Sequence, residues 1–400
     1  MISDREVAAL SAGWSAQYIV LLNDIVAQRP AGFWPESLPT PHSTVGCSKA
    51  APAYASAISR HIASPRISVF TIASGSDEPE NLASVFAEIS QWIDEQCGIG
   101  LQVDDRSFRR QVNRRGNPTI RGHLAFTGPM RSPSTPKVQL DLTTDELVAE
   151  PVVLRPIFHP YSDGTETWDG TQIVGETSAY GLVELFAEKL RALAERCRPR
   201  DLYDVVHTHR HPDLLGRAGD VHDALERKCE YVGFVAPTLD SVRSSPHRQE
   251  IEQEWGNMLA HQLPQLPPFE QFWQSLADVF EWLEGRRALP VLPHAVVPGA
   301  DVDESWRMPR TMVSWREAAP IELIRFAGAN RLKVEVDYRA ERGRQGPRLV
   351  SPLSFQRSRQ GRLLLYLIND HGQLRSYGVD RIAGVSVTRE PFDAPYAVEF

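Results

Sequence analysis

Lys189 stands in an apolar helical stripe, and two aspartates three residues apart, Asp201 and Asp204, follow in the stretch AEKLRALAERCRPRDLYDVV (187–206). A lysine one turn from Leu185, Phe186 and Leu193 must snorkel to water or meet an anion. Arg196 lies two turns further along the same face. Pro199 ends this helix and Arg200-Asp201 begins the next, on which Asp201 and Asp204 share a face. Two chemistries fit. In the structural one, Asp201 caps the second helix, Asp204 sits in its first turn and the lysine covers apolar surface. In the other, Lys189, Arg196 and Arg200 neutralise nucleotide phosphates while a carboxylate positions a nucleophile or a metal ion. Magnesium takes carboxylates together with phosphate oxygens, so a further acid is required. Asp141, in VQLDLT, is the candidate. On an alternating strand Gln139, Asp141 and Thr143 point one way and Leu140 and Leu142 the other. A mid-strand carboxylate is a poor structural choice unless the strand is an edge or its face is wet.

The elements that must hold these residues are legible in part. Residues 3–26 read as a helix, and 79–97 (PENLASVFAEISQWIDEQC) as an amphipathic one, with Leu82, Val85, Phe86, Ile89 and Ile93 at helical spacing. Strands are expected over 119–127 and 137–143. Residues 217–290 read as mostly helical, including PQLPPFEQFWQSLADVFEWL, and 290–318 as a proline-rich linker. From 319 a helix and short strands make a compact β module. The expected class is α+β: a mixed sheet with flanking helices (1–210), a helical region (211–290), a linker (291–318) and a β domain (319–400).

Composition narrows the setting. Four hundred residues imply two or three domains. No apolar run reaches the roughly 18 residues of a membrane span, and MISDREVAAL lacks the blocks of a signal peptide. Cys47, Cys97, Cys197 and Cys229 stand far apart with no C-x-x-C pair. That pattern points to a reducing cytoplasm and away from structural zinc or disulfides. The net charge is −8, yet residues 321–400 carry 13 Lys and Arg against 9 Asp and Glu. A basic module suits nucleic acid or nucleotide phosphate, or is an ordinary arginine-rich surface. Arg106, Arg109, Arg110, Arg114 and Arg115 form a second basic run, either a solvated loop or an approach for a nucleic-acid acceptor. His207, His209 and His211 share a face only if extended, so a solvated helix end competes with a metal site.

The run ELFAEKLRALAERCRPRDLYDVV, preceded by VQLDLT and RPIFHPYSD, resembles the AbiEii/AbiGii-type nucleotidyltransferase toxins over roughly residues 1–290. The resemblance implies a nucleotidyltransferase fold, an NTP substrate, Mg2+ and a cognate antitoxin in a toxin–antitoxin or phage-defence setting. The acceptor would be RNA, tRNA included, or a protein. It makes Asp141 a metal ligand, Lys189 the phosphate contact and Asp201 the catalytic or orienting acid, with Asp204 a weaker candidate.

The first motif of such enzymes, a G-G/S-T turn followed by a strand with two carboxylates, is missing. No Gly-Gly and no aspartate lies between Pro30 and Asp77. Back-translated and read from the third base of each codon, Gly46 to Ser68 can yield LLQGGTCLRKCYFETYRFSEDL, which contains the motif. About residues 27–69 are therefore expected to be out of frame, by sequencing error or gene decay, and resequencing the coding DNA decides it. The chain as it stands is expected to transfer nucleotides poorly or not at all.

In the tail, Leu332, Val334 and Val336 alternate with charged residues, as do Leu363, Leu365 and Leu367 with their neighbours. With LRSYGVDRI this resembles a WYL-type domain, although LLLYLIND replaces the tripeptide itself. The resemblance implies a small SH3/Sm-like β-barrel that binds nucleotide or nucleic acid through Tyr338, Arg348, Tyr366, Arg375 and Arg381. Arginines suit phosphate and tyrosines suit base stacking. Asp380–Arg381 as a strand-end ion pair and Tyr366 as core are the competing readings. A non-catalytic regulator acting through this tail is the second functional possibility.

Overall fold

The computed structural model describes, with short gaps, residues 79–286 and 321–398, the strand pieces Cys47–Ser48 and Ile67–Thr71, and three residues between 302 and 306. The expected helix over 3–26 lies outside the described residues, as does all of 27–69 except those strand pieces. The chain forms two compact units, Met1–Gly181 and Leu182–Phe400.

The described part of the first unit is a mixed nine-stranded sheet with one helix. Its strands are β1 (Cys47–Ser48), β2 (Ile67–Thr71), β3 (Gly100–Gln102), β4 (Phe108–Val112), β5 (Pro118–Thr127), β6 (Lys137–Thr143), β7 (Val153–His159), β8 (Thr165–Glu166) and β9 (Gln172–Ala179). The order is β3-β5-β6-β2-β1-β9-β7, with β4 also on β5 and β8 also on β9. The β2–β6 and β1–β9 pairs are parallel. Helix α1 (Pro79–Cys97) covers the sheet because its apolar side repeats at helical spacing. Leu82 and Ile89 pack on Leu101, Phe108, Ile120, Leu124, Phe126, Leu140 and Leu142. Gly122 admits the Phe108 ring, since a Cβ there would lie 2.7 Å from Phe108 Cε1. Burial of Leu140 and Leu142 follows the alternation expected of β6. Asp141 pairs in register with Val69 of β2 and Arg121 of β5. β6 is thus interior, which removes the edge-strand explanation for a mid-strand acid.

The second unit begins with α2 (Leu182–Arg196), α3 (Pro199–His209), α4 (Ala218–Tyr231), α5 (Leu239–Arg243), α6 (Arg248–Leu259) and α7 (Phe269–Leu283). Phe272, Leu276, Val279, Phe280 and Leu283 of α7 are buried, as the amphipathic pattern requires. The tail follows as α8 (Ile321–Ala329), β10 (Leu332–Tyr338), β11 (Gly346–Arg357), β12 (Leu363–Asn369), β13 (Leu374–Gly378) and β14 (Ile382–Pro391). These strands form an antiparallel sheet in the order β13-β12-β11-β10-β14. Among the described residues no β13–β14 pairing closes it into a barrel. Both faces are covered. Leu332, Val334, Val336, Leu365 and Leu367 pack with Ile321 and Ile324 of α8. Leu353 and Tyr366 pack with Val302, Phe392 and Val398.

Candidate active site

Helices α2 and α3 form a tight hairpin joined by Cys197 and Arg198. Cys197 adopts φ 44°, a left-handed conformation, and its amide donates to the Leu193 carbonyl at 3.0 Å. Such a backbone costs a non-glycine residue about 1–2 kcal/mol, so the surroundings must hold it. Pro199 suits the first turn of α3, where its missing N–H is not needed. Asp201 then falls in that first turn, where a carboxylate is favoured by the helix dipole.

Two ion-pair rungs tie the hairpin. Beside the joint, Arg196 donates from Nε to Asp201 Oδ2 and from Nη2 to Asp201 Oδ1, both at 2.6 Å. Asp201 is 1% exposed and its guanidinium partner 43%. This hydrogen-bonded carboxylate holds Arg196 still more firmly protonated than usual. Farther from the joint, Lys189 Nζ lies 2.5 Å from Asp204 Oδ2, each side chain about a quarter exposed. The lysine amid leucines therefore meets an anion. Burial pushes the Asp204 carboxyl above the usual carboxylate range, while the Lys189 charge and hydrogen bond pull the other way. Arg200 is exposed on the first turn of α3.

The opposite flank of α2 carries a network that spacing did not reveal. Lys228 of α4 reaches Glu184 Oε1 at 2.6 Å and Glu188 Oε2 at 3.5 Å. Glu184 and Lys228 are 0% and 2% exposed. Arg191 bridges Glu188 and Glu195 on α2 itself. The usable signal was two glutamates one turn apart, Glu184 and Glu188, the first flanked by Val183 and Leu185.

In the tail, Tyr338 and Tyr377 stack at 4.2 Å, and Arg348 lies over both rings at 5.2 and 5.3 Å. Arg348 also donates to the Tyr377 hydroxyl at 3.0 Å. Tyr377, in LRSYGVDRI, joins the group through its ring, which packs in the tail core. Arg375 is exposed and donates to Gln373 Oε1 at 2.6 Å. Asp380 pairs with Arg362 at 3.2 Å, and the Arg381 carbonyl accepts from the Arg339 amide. Tyr366 is not brought to this group. It lies opposite Ser376, one residue out of phase with Arg375 and Tyr377, and is fully buried in the other core. Burial raises its hydroxyl to about 12.

The described residues do not by themselves make a magnesium site. Both Asp201 oxygens face Arg196, and Asp204 faces Lys189. Among the described residues, the one set of potential ligand atoms that converges is the exposed His222, Asp223 and Glu226 of α4, whose acids are ordinary helix-surface groups. Burial pushes His207 down to about 3; it stacks on Tyr203, while His209 meets Trp282 edge-on. The histidine run therefore ends a helix. No described helix is long and apolar enough to cross a membrane.

Residues 57–278 match the family described as nucleotidyl transferase AbiEii toxin, type IV TA system. Residues 320–387 match the WYL domain. No curated protein matches. Among solved structures the chain is similar to MenT4, a nucleotidyltransferase toxin from Mycobacterium tuberculosis H37Rv, at 14% identity and TM-score 0.37. The match covers 71% of this chain and 89% of that one. The family assignment stands on the sequence match over 57–278.

Proposed function

The chain belongs to the AbiEii nucleotidyltransferase toxin family, and from that premise we propose that α2 and α3 form its triphosphate-handling face. The observation that carries this reading is the partly exposed, single-contact Lys189–Asp204 rung beside the doubly hydrogen-bonded Arg196–Asp201 rung, whose carboxylate is buried. An ammonium is a point charge that exchanges one oxyanion for another at little geometric cost. An incoming phosphate takes Lys189 from Asp204, and Arg196 and Arg200 add positive charge nearby. Asp204 is released with a carboxyl whose raised pKa makes it a stronger base than an ordinary aspartate. An acceptor hydroxyl attacks the α-phosphorus in line. The new O–P bond forms as the bond to the β-phosphate oxygen breaks, pyrophosphate leaves, and the hydroxyl proton passes to Asp204. Asp201 orients Arg196. Asp141 is the residue we propose as a contact for magnesium, on family grounds alone; the ion, when bound, would neutralise charge on the phosphates. The antiparallel order β13-β12-β11-β10-β14 supports an SH3/Sm-like reading of 319–400, which we propose together with a transferase region at 1–210 and a helical region at 211–290. A cytoplasmic toxin with a cognate antitoxin in phage defence is the corresponding setting.

We propose RNA as the acceptor. Residues 106–123 hold six arginines and no acid in a chain of net charge −8. Arg109 and Arg110 are exposed on β4, and Arg109 stands directly opposite Arg121. Arg106, Arg114 and Arg115 lie outside the described residues. The Arg109→Glu, Arg110→Glu variant is expected to lose about tenfold or more of RNA affinity. Its logarithmic salt dependence should flatten by about 1.4, two single-strand phosphate contacts. Unchanged binding would point to a protein acceptor.

The transferase reading is tested on the chain with residues 46–68 replaced by LLQGGTCLRKCYFETYRFSEDL, incubated with each α-labelled triphosphate and total RNA or protein. Incorporation should fall about a hundredfold or more in Lys189→Met. Incorporation that survives that change contradicts the assignment. The second reading, a non-catalytic regulator, is favoured by the half-buried Arg348 and the exposed Arg375; Tyr338 and Tyr377 beneath Arg348 are buried in the tail core, which leaves base stacking to neither. It requires salt-sensitive binding that survives Lys189→Ala but not Arg375→Ala.

A further inference from the structure

Tyr203 sits between Asp201 and Asp204 in sequence but on another side of α3, about 100° from Asp204 at 3.6 residues per turn. Its ring stacks on Phe272 of α7 at 5.2 Å. Its hydroxyl, fully desolvated, donates to Asn330 Oδ1 at 2.9 Å across 127 residues of sequence. Asn330 is 0% exposed and belongs to the tail, at the junction of α8 and β10. Its side-chain amide donates to the Phe326 carbonyl at 2.9 Å, which fixes the oxygen toward Tyr203. A second tie lies at the other end of α3, where Arg210 donates to the Ala329 carbonyl at 3.2 Å. Gln271 of α7 completes the joint by donating to the Asn330 carbonyl at 3.0 Å. Arg331, next in the chain, is held buried at φ 56°, and its carbonyl accepts from Phe392 just after β14. A left-handed arginine persists only where its surroundings over-determine it.

Helix α3 is thus a beam fastened on two sides. Its acids are paired with α2, and its tyrosine and C-terminal arginine are bonded to the tail junction. We propose that Asn330 is a positioning residue for α3, so that the tail sets the placement of Asp204 and of the Lys189 it holds. Its functional part rests on the transferase reading of α3. The tail is on this account a component of the transferase, and any ligand that shifts β10 or β14 changes turnover through the same joint.

The test uses the full chain with Tyr203→Phe, Asn330→Ala, the double variant, and Asn330→Asp, which keeps an oxygen for the tyrosine hydroxyl. Amide hydrogen exchange over 199–209 should quicken about tenfold or more in Asn330→Ala, with 218–231 changed less than about twofold. The double variant should exchange no faster than Asn330→Ala, and Asn330→Asp should move back toward the parent. With the same substitutions made in the chain whose residues 46–68 are replaced by LLQGGTCLRKCYFETYRFSEDL, turnover per molecule that binds triphosphate should fall about tenfold with KM within about twofold, and Asn330→Asp should restore most of it. Unchanged exchange over 199–209 overturns the proposal whatever the activity. Faster exchange with unchanged turnover overturns the positioning role and leaves the transferase reading standing. Exchange coupling without incorporation in any of the motif-restored proteins removes the transferase reading and supports Asn330 as the residue that places α3.

Discussion

Replacing residues 46–68 by LLQGGTCLRKCYFETYRFSEDL will raise nucleotide transfer about a thousandfold or more over the chain as it stands. The glycine pair would let backbone N–H groups approach a phosphate, and the following carboxylates would complete the acidic set proposed for Asp141. Removing one preorganised hydrogen-bond donor from an oxyanion hole already costs about 10²–10³ in rate, and here a whole turn and its acids are exchanged together. The family match begins at residue 57, beyond the place where the glycine turn would stand. Incorporation of α-labelled triphosphate by the two proteins, side by side, checks the prediction. Equal rates would mean that the chain builds its phosphate site without the glycine turn.

Lys228→Ala will destabilise the second unit by about 3–5 kcal/mol, the usual result of removing one partner from a buried pair. Glu184, fully buried, loses the ammonium 2.6 Å away, and Glu188 loses a second contact. Because α2 carries Lys189 and Arg196 on another face, the loss also loosens the proposed phosphate face. Replacing both members, as Lys228→Met with Glu184→Leu, should bring stability back to within about 1 kcal/mol of the parent, because the desolvation cost disappears with the charges. Urea unfolding of the two variants decides it. A Lys228→Ala midpoint close to the parent's would show that α2 and α4 do not depend on this pair.

Periodic elements were readable because a single face is buried. The residues of α1 and α7 repeat at 3.6, and β6 alternates with Leu140 and Leu142 inward. Lys189 was conspicuous for the same reason: a cation breaks an apolar stripe only where an anion or water receives it. What spacing does not encode is the partner across a fold. Glu184 finds Lys228, and Tyr203 finds Asn330, only after the helices pack. The parallel β1–β9 pair likewise joins segments more than a hundred residues apart. Tyr366 shows a different limit. Alternation with Leu365 and Leu367 put it on the opposite face of β12, but both faces of the tail sheet are covered, so that face is core as well. The interior position of β6 came from its two neighbours in register, which a lone strand cannot announce.

The most direct measurement is an experimental structure of the full chain with a non-reactive triphosphate analogue. The account predicts a phosphate within about 4 Å of Lys189 Nζ, charge-assisted hydrogen-bond range allowing for side-chain adjustment. Asp204 would be parted from the lysine and Arg196–Asp201 left closed. A triphosphate bound elsewhere, with the Lys189–Asp204 pair intact at its present 2.5 Å, would contradict it.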